Sequence, residues 1–188
     1  MLFNTHLNVM GTHSFLSPSN YHWINYDEEK LDRIFLQSLA AKRGIELHEL
    51  AKNLIRLGVR LPNSKKTLNS YVNDAIGYRM VPEQVLYYSP NCYGTTDAIS
   101  WRPKLKMLRI HDLKTGTTET SVHQLEVYAA IFCLEYNERP TAIQMEFRIY
   151  QNNEVRVYDG NADTITHIMD RIVTFNKRIT QMRMEEAA

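Results

Sequence analysis

The spacing of apolar residues changes near Glu83, and this change is the sequence feature that most limits the fold. Before it, apolar residues recur every three or four positions, which is typical of helices that bury one face. After it, apolar and polar residues alternate through several short segments, which is typical of half-buried strands. Strands are predicted at 84–89, 93–101, 106–112, 143–149 and 155–158, and helices at 27–57, 68–76, 120–135 and 161–184.

The order of these elements predicts the fold class. It is α-α-β-β-β-α-β-β-α, and three strands followed by a helix and a return strand favour a mixed sheet with helices packed on it. We therefore expect an α/β protein. The length of 188 residues matches one domain of ordinary size, so a single domain over 1–188 is expected, with an irregular segment at 1–26.

Two apolar stripes predict which faces the long helices bury. In the first helix, Gly44 either interrupts the periodicity or lies inside a continuous helix at some cost. The inward stripe expected there is Leu47, Leu50, Ala51, Leu54 and Leu57. In the last helix, which Asp163 is expected to cap, the inward stripe is Ile165, Ile168, Met169, Ile172, Phe175, Ile179 and Met182.

Composition excludes several classes of protein. The chain has 22 Lys and Arg against 21 Asp and Glu, a net charge of +1, so any nucleic-acid surface requires local segregation of charge. The two cysteines, Cys92 and Cys133, form no CxxC pair, which excludes a cysteine-bound zinc or iron–sulfur centre within one chain. An apolar stretch of about 18 residues and a secretory signal are both absent from the sequence, so a cytoplasmic protein is expected.

The segment with the most chemical information contains two acids and a lysine. Asp112 and Lys114 lie two apart at the end of a strand, so their side chains leave the same face. A hairpin centred between Lys104 and Leu105 places Asp97 opposite Asp112, with Cβ atoms about 4.5–5.5 Å apart. Two carboxylates so close favour a cation between them, and oxygen ligands suit Mg²⁺ or Mn²⁺. A surface salt bridge between Asp97 and Lys114 would explain the pair without a metal.

Four motifs in one order resemble a known nuclease family. Gly94-x-x-Asp97 followed by Asp112-x-Lys114-Thr115-Gly116 resembles the core of the PD-(D/E)XK nucleases. The segment 43–49, with its glycine and histidine, and Gln124-x-x-x-Tyr128 are similar to two helix motifs of the RecB-like branch. That branch includes lambda-type phage exonucleases, CRISPR-adaptation nucleases and the mitochondrial genome maintenance exonuclease. In this chain Thr96 replaces the usual proline before the first acid.

The resemblance implies a metal site and its ligands. It implies a restriction-endonuclease-like core at 43–158, with no iron–sulfur cluster. The side chains of His48, Asp97 and Asp112 and the backbone carbonyl of Leu113 would hold Mg²⁺ or Mn²⁺. Lys114 would position or activate the attacking water, so the catalytic residues would be Asp97, Asp112 and Lys114.

The resemblance also implies residues that surround this site. Gln124 and Tyr128 would contact the substrate or steady Lys114, and their spacing puts them on one helical face. His111 and His123 would lie behind the ligands or face the solvent, since the family motif gives them no role.

Basic residues concentrate beside His48. The segment 42–66 holds seven cations and two acids, which is either a surface for DNA phosphates or a solvated helix face. The phosphate-binding candidates are Arg56, Arg60, Lys65 and Lys66. Ser17 and Ser19 form a short serine segment, which the resemblance associates with the substrate entrance.

These observations favour a divalent-metal-dependent deoxyribonuclease, most specifically an exonuclease of phage-type recombination, repair or DNA processing. The alternatives are an endonuclease or flap nuclease on the same core, a catalytically inactive nucleic-acid-binding protein of that fold, and a structural protein whose acids form only ion pairs. The expected partner is single- or double-stranded DNA and not a membrane. The enzyme would act alone, as a homo-oligomer, or beside a single-strand annealing protein or helicase, in the cytoplasm of a bacterial or phage-infected cell.

Overall fold

A computed structural model describes residues 4–186 and divides the chain into two compact units, Met1–Arg43 and Gly44–Ala188. The first unit contains two short 3₁₀ helices, Leu7–Val9 and Pro18–Asn25, within the segment predicted to be irregular. Its last part is the beginning of the long helix α1 (Glu28–Leu57). Asp27 caps this helix, because its Oδ1 accepts the Lys30 amide at 2.7 Å.

The second unit is built on one five-stranded sheet. Its strands are β1 (Val81–Ser89), β2 (Cys92–Arg102), β3 (Met107–Leu113), β4 (Gln144–Gln151) and β5 (Glu154–Asp159). Its helices, besides the end of α1, are α2 (Thr67–Gly77), α3 (His123–Tyr136) and α4 (Ala162–Glu186). The strands lie in the order β1-β2-β3-β4-β5, and only the β3–β4 pair is parallel. The α3 connection permits that parallel pairing, and the predicted α/β class with a mixed sheet and flanking helices is confirmed.

The sheet buries a hydrophobic core on each face. One core joins the sheet to α3 and α4 through residues such as Leu108, Phe147, Leu125 and Ile165. The other joins it to α2 and the end of α1, with Ala51, Tyr71, Val72 and Tyr150 among its members. The acids and the lysine of the sequence motifs lie on β2 and β3 and just beyond β3, so this two-sided packing fixes their backbone.

The helix α1 is continuous through Gly44, which resolves the alternative left by the sequence. A Cβ at Gly44 would meet Thr115 Oγ1 at 2.8 Å, so the glycine permits a close approach of this helix to the segment after β3. The predicted inward stripe of α1 is wrong in part, because Leu47, Leu50 and Leu57 are exposed. Ala51 is buried and Leu54 packs against the core, as predicted. Gly44 and Ile55 are buried with them, and His48 is half-buried on the same face.

The helix α4 packs over only its first half. Ile165 is buried and Ile168, Met169 and Ile172 pack against the core, as predicted. Phe175, Ile179 and Met182 are exposed, so the prediction is wrong for them. The second half of the helix makes polar contacts with the β1–β2 turn. Asn176 Oδ1 accepts hydrogen bonds from Ser89 Oγ at 2.7 Å and from Asn91 Nδ2 at 2.9 Å.

The cap of α4 differs from the prediction by two residues. Asn161, and not Asp163, caps α4, because Asn161 Oδ1 accepts the amides of Asp163 and Thr164 at 2.9 and 3.0 Å. Within the described residues, no helix combines the length and the apolar character needed to cross a bilayer.

Candidate metal centre

The β2–β3 hairpin brings the two motif acids to one place. Its pairs run from Arg102 opposite Met107 to Ala98 opposite His111, and continuing this register places Asp97 opposite Asp112. The predicted hairpin register is therefore confirmed. Asp97 is also fixed by the backbone, since its Oδ2 accepts the Leu113 amide at 2.7 Å. At this site Leu113 therefore contributes its amide, as a donor to Asp97. The predicted role of its carbonyl as a metal ligand stays a prediction.

His48 joins Asp97 from the neighbouring helix. His48 Nδ1 lies 3.4 Å from Asp97 Oδ1. The side chain reaches the strand because His48 follows Gly44 by one turn on the buried face of α1, where the helix comes close to the sheet. The pairing of this histidine with this acid is what the motifs led us to expect.

Glu83 completes the group and was not found from the sequence. One ligand atom from each of His48, Glu83 and Asp97 lies within 4.8 Å of the others. The β1–β2 pairs Pro82–Ala98 and Gln84–Thr96 flank Glu83, so Glu83 is opposite Asp97 on the other side from Asp112. Its φ of 53° lies in the left-handed region, a conformation that costs free energy for a residue with a side chain.

The charges in this group shift one another's titration. The Asp97 carboxylate raises the pKa of His48 above its ordinary value, with Glu83 and Asp112 acting in the same direction against burial. Burial and then the charge of Asp97 raise the pKa of Glu83. The same two causes raise the pKa of Asp112. The folded chain therefore holds several carboxylates at a distance where they repel, which is the situation that a bound cation relieves.

A polar chain links Asp112 to α3. Lys114 Nζ lies 3.0 Å from Asp112 Oδ1 and donates to Gln124 Oε1 at 3.0 Å. Gln124 Nε2 donates to the Tyr128 hydroxyl at 3.3 Å, and that hydroxyl donates to the Thr95 carbonyl at 2.6 Å. Gln124 therefore contacts Lys114, one of the two roles expected of it. The alternative salt bridge between Lys114 and Asp97 does not form, because Lys114 pairs with Asp112.

Asp112 supplies an independent indication of a ligand. Its side chain is 5% exposed, and its Oδ2 is buried without a hydrogen-bond partner among the described residues. A buried carboxylate oxygen left unpaired costs free energy, so it marks a place where a cation or a water is expected. An imidazole with carboxylates is a donor set that suits Mn²⁺ and Mg²⁺. The residues present therefore fit the metal that the motifs imply.

The segment after Lys114 is held by a second group that the sequence did not reveal. Gln151, which is 3% exposed, donates from its side-chain amide to the carbonyls of Gly116 and Thr118, each at 2.7 Å. Asn152 donates to the Thr117 carbonyl at 3.1 Å. These contacts fix the loop that leaves β3, and no sequence motif marks them because they join residues more than 30 positions apart.

The predicted substrate-binding residues outside the Lys114 chain form two sets. Arg56, Arg60, Lys65 and Lys66 are exposed on and after the end of α1. Ser17 and Ser19 belong to the first unit, where their hydroxyl oxygens lie 2.8 Å apart.

The two neighbouring histidines have different surroundings. His123 is exposed and pairs with Glu126, whereas His111 is fully buried and its Nδ1 lies 3.1 Å from the Tyr150 hydroxyl. Burial lowers the pKa of His111 to about 3, so this residue lies behind the site as a neutral ring.

Comparison with protein-family models, with curated proteins and with solved structures finds no match for this chain. The functional argument therefore depends on the site itself.

Proposed function

We propose that this chain is a divalent-metal-dependent deoxyribonuclease with a restriction-endonuclease-like core, related to the RecB-like branch of the PD-(D/E)XK nucleases. The observation that carries the proposal is the His48–Glu83–Asp97 group beside the Asp112–Lys114 pair. The favoured activity is exonucleolytic hydrolysis of DNA phosphodiester bonds in recombination, repair or DNA processing.

In this proposal, one set of residues binds the cation and another contacts the substrate. His48, Glu83 and Asp97 would hold the cation, with Asp112 beside them. A divalent cation bound there supplies Lewis-acid stabilisation of the negative charge that develops on the phosphate. The hydrogen bond from the Leu113 amide to Asp97 would keep one carboxylate in place before substrate arrives, so little reorganisation would be needed during the reaction.

Lys114 is the residue suited to the reacting phosphate. An ammonium group has three donors, and two of them point to Asp112 and Gln124. The third can donate to a phosphate oxygen or to the attacking water. The Gln124–Tyr128–Thr95 chain limits the movement of the lysine, which favours a positioned donor over a mobile surface charge.

The exposed cations after His48 supply a surface for the DNA backbone. Arg56, Arg60, Lys65 and Lys66 follow the helix that carries the histidine, and contacts from them to phosphates would be independent of base sequence. Lys52 contributes less, because its ammonium is paired with Glu49.

Incubation with DNA and either Mg²⁺ or Mn²⁺ tests the proposal. Linear and circular DNA, each single- and double-stranded, separate an exonuclease from an endonuclease, because circles lack ends. The matched variants are Lys114→Ala and Lys177→Ala, which remove one lysine inside and one outside the site. We expect metal-dependent shortening of linear DNA by the wild type and Lys177→Ala, but not by Lys114→Ala.

Three outcomes would replace the proposal. Cleavage of circular DNA would indicate the endonuclease alternative. DNA binding without cleavage under any metal would indicate the inactive nucleic-acid-binding protein. The absence of both binding and cleavage, with no anomalous peak between His48 and Asp97 in crystals soaked with Mn²⁺, would indicate acids that form only ion pairs.

A further inference from the structure

A large groove lies near the end of α3 that is remote from Gln124. It has a volume of about 960 Å³ and is bounded by the beginning of β1, the end of β2, the turn Pro103–Leu105 and the end of α3. Gln124 and Tyr136 are twelve positions apart, which corresponds to roughly 18 Å along a helix. The walls are mainly apolar and include Leu86, Trp101, Leu105, Phe132 and Tyr136.

The charged residues that line this groove are all basic. They are Arg79, Arg102 and Lys104, and no Asp or Glu is among the lining residues. None of the three takes part in an ion pair within residues 4–186. Arg102 donates only to the Tyr78 carbonyl, at 3.3 Å. The whole chain carries a net charge of only +1, so three cations without an acidic partner around one apolar groove are a local concentration of charge.

Of the aromatic residues that line the groove, only Tyr136 is exposed, at 50%, so the groove lacks a row of open rings on which successive bases could stack. Phe132 is 3% exposed, and the Trp101 ring packs against it with centroids 5.3 Å apart. The Lys106 ammonium also lies 5.6 Å from the Trp101 centroid. Base stacking requires an open ring face, whereas an apolar depression fits a side chain inserted from a partner.

We propose that this groove docks an acidic segment of a partner protein that inserts one aromatic or large aliphatic side chain between Trp101 and Tyr136. The carboxylates on either side of that anchor would pair with Arg79, Arg102 and Lys104. An apolar centre with a charged rim is the usual anatomy of a specific interface. The inference does not depend on the proposed nuclease activity, because it uses none of the residues of the metal centre.

A labelled peptide tests the groove directly. The probe is a fluorescein-labelled nine-residue peptide with eight aspartates around a central phenylalanine, measured by fluorescence anisotropy at low salt. We expect saturable binding, and we expect a peptide with alanine at the centre to bind at least about tenfold more weakly, because it buries no ring. The Trp23→Phe variant leaves Trp101 as the only tryptophan, and an unlabelled peptide should shift its emission.

Charge-reversal variants locate the binding. Arg79→Glu combined with Lys104→Glu should weaken binding by at least about tenfold, since two attractive pairs become repulsive. Lys177→Glu combined with Arg183→Glu makes the same change in net charge on α4 and should leave binding within about twofold. Tyr136→Ala should reduce the preference for phenylalanine over alanine, which separates the anchor pocket from the charged rim.

Each contrary result overturns the proposal. Equal weakening by the two charge-reversal variants would mean that binding follows net charge and not the groove. Unchanged Trp101 emission at saturation would place the peptide elsewhere. A twelve-nucleotide oligothymidine is the second probe. If it shifts Trp101 emission and binds Arg79→Glu/Lys104→Glu more weakly, while the peptide does not bind, then the occupant is a nucleic-acid strand. Absence of binding by both probes would show that the groove has no anionic occupant of these kinds.

Discussion

Replacing Glu83 by glutamine should make the metal-free protein more stable and its response to Mn²⁺ smaller. The reason is the crowding of charges around this side chain, whose ligand oxygen lies within 4.8 Å of those of His48 and Asp97. The raised pKa of Glu83 means that the folded chain holds the proton more tightly than the unfolded chain. At a pH above both pKa values, the charge of Glu83 therefore lowers the free energy of unfolding.

The size of this effect follows from the geometry. Two like unit charges at the upper limit of 4.8 Å repel by about 1 to 3 kcal/mol for effective dielectric constants between roughly 80 and 20. Glu83 is only half-buried, so the lower end of this range applies. A gain of about 1 kcal/mol corresponds to a rise in Tm of about 2–4 °C for a chain of this size.

The same substitution should reduce the stabilisation that Mn²⁺ gives, because it removes a ligand oxygen. At a concentration of 100 times its Kd, a ligand that binds only the folded state adds about 2.7 kcal/mol. If Glu83→Gln weakens Mn²⁺ binding tenfold, the same concentration adds only about 1.4 kcal/mol. Thermal unfolding with EDTA and with Mn²⁺ measures both quantities, and Glu154→Gln on the exposed edge of β5 is the matched control. A lower Tm for metal-free Glu83→Gln together with an undiminished Mn²⁺ shift would refute the metal centre, because Glu83 would then be a simple ion-pair partner of His48.

Three further predictions address the lysine, the loop behind it and the basic surface. Lys114→Ala should keep the Mn²⁺ shift and DNA binding but lose cleavage by about 100-fold or more, because it removes an interaction made in the transition state; wild-type turnover would contradict this. Gln151→Leu should lower the free energy of unfolding by about 1–3 kcal/mol, because the loop loses two hydrogen bonds worth about 0.5–1.5 kcal/mol each. It should also speed hydrogen exchange in 115–119 while leaving the Mn²⁺ shift unchanged. Removing Lys65 and Lys66 together should weaken DNA binding equally for unrelated sequences, with near-normal cleavage at saturating DNA. The slope of log affinity against log salt concentration should fall by about 0.7 per lost contact on single strands or 0.9 on duplex. An unchanged slope would show that these lysines face only solvent.

Contacts that are local in sequence were predictable. The short connection between β2 and β3 allows few registers, so the position of Asp97 opposite Asp112 followed from the chain alone. Gln124 and Tyr128 are four positions apart on one helix, and their hydrogen bond needs no tertiary information. Alternation along β3 was likewise enough to place Lys114 beside its acid.

The buried face of α1 was harder to predict, because two stripes fit the helical period. The predicted stripe runs through Leu47, Leu50, Ala51, Leu54 and Leu57. The buried face shares Ala51 with it but runs through Gly44 and Ile55. Hydrophobicity favours the leucines, but the structure buries the small residues. They allow the helix axis to approach the sheet closely enough for His48 to reach Asp97, and this requirement is not visible in the hydrophobic pattern.

Glu83 shows why the candidate metal centre could not be completed from the sequence. The turn after β1 begins with Ser89 opposite Cys92, and an unbroken ladder from that pair would place Gln84 opposite Asp97. The ladder shifts by one residue before Tyr87 pairs with Tyr93, and that β-bulge brings Glu83 opposite Asp97 instead. A one-residue shift exchanges the faces of every side chain beyond it. The bulge therefore decides whether the Gln84 amide or the Glu83 carboxylate lies opposite Asp97, and no residue pattern in the sequence predicts that bulge. The left-handed backbone at Glu83 is a second local cost at the same position. Both irregularities bring a third ionisable group beside His48 and Asp97, which adds to their mutual repulsion and agrees with the cation site proposed above.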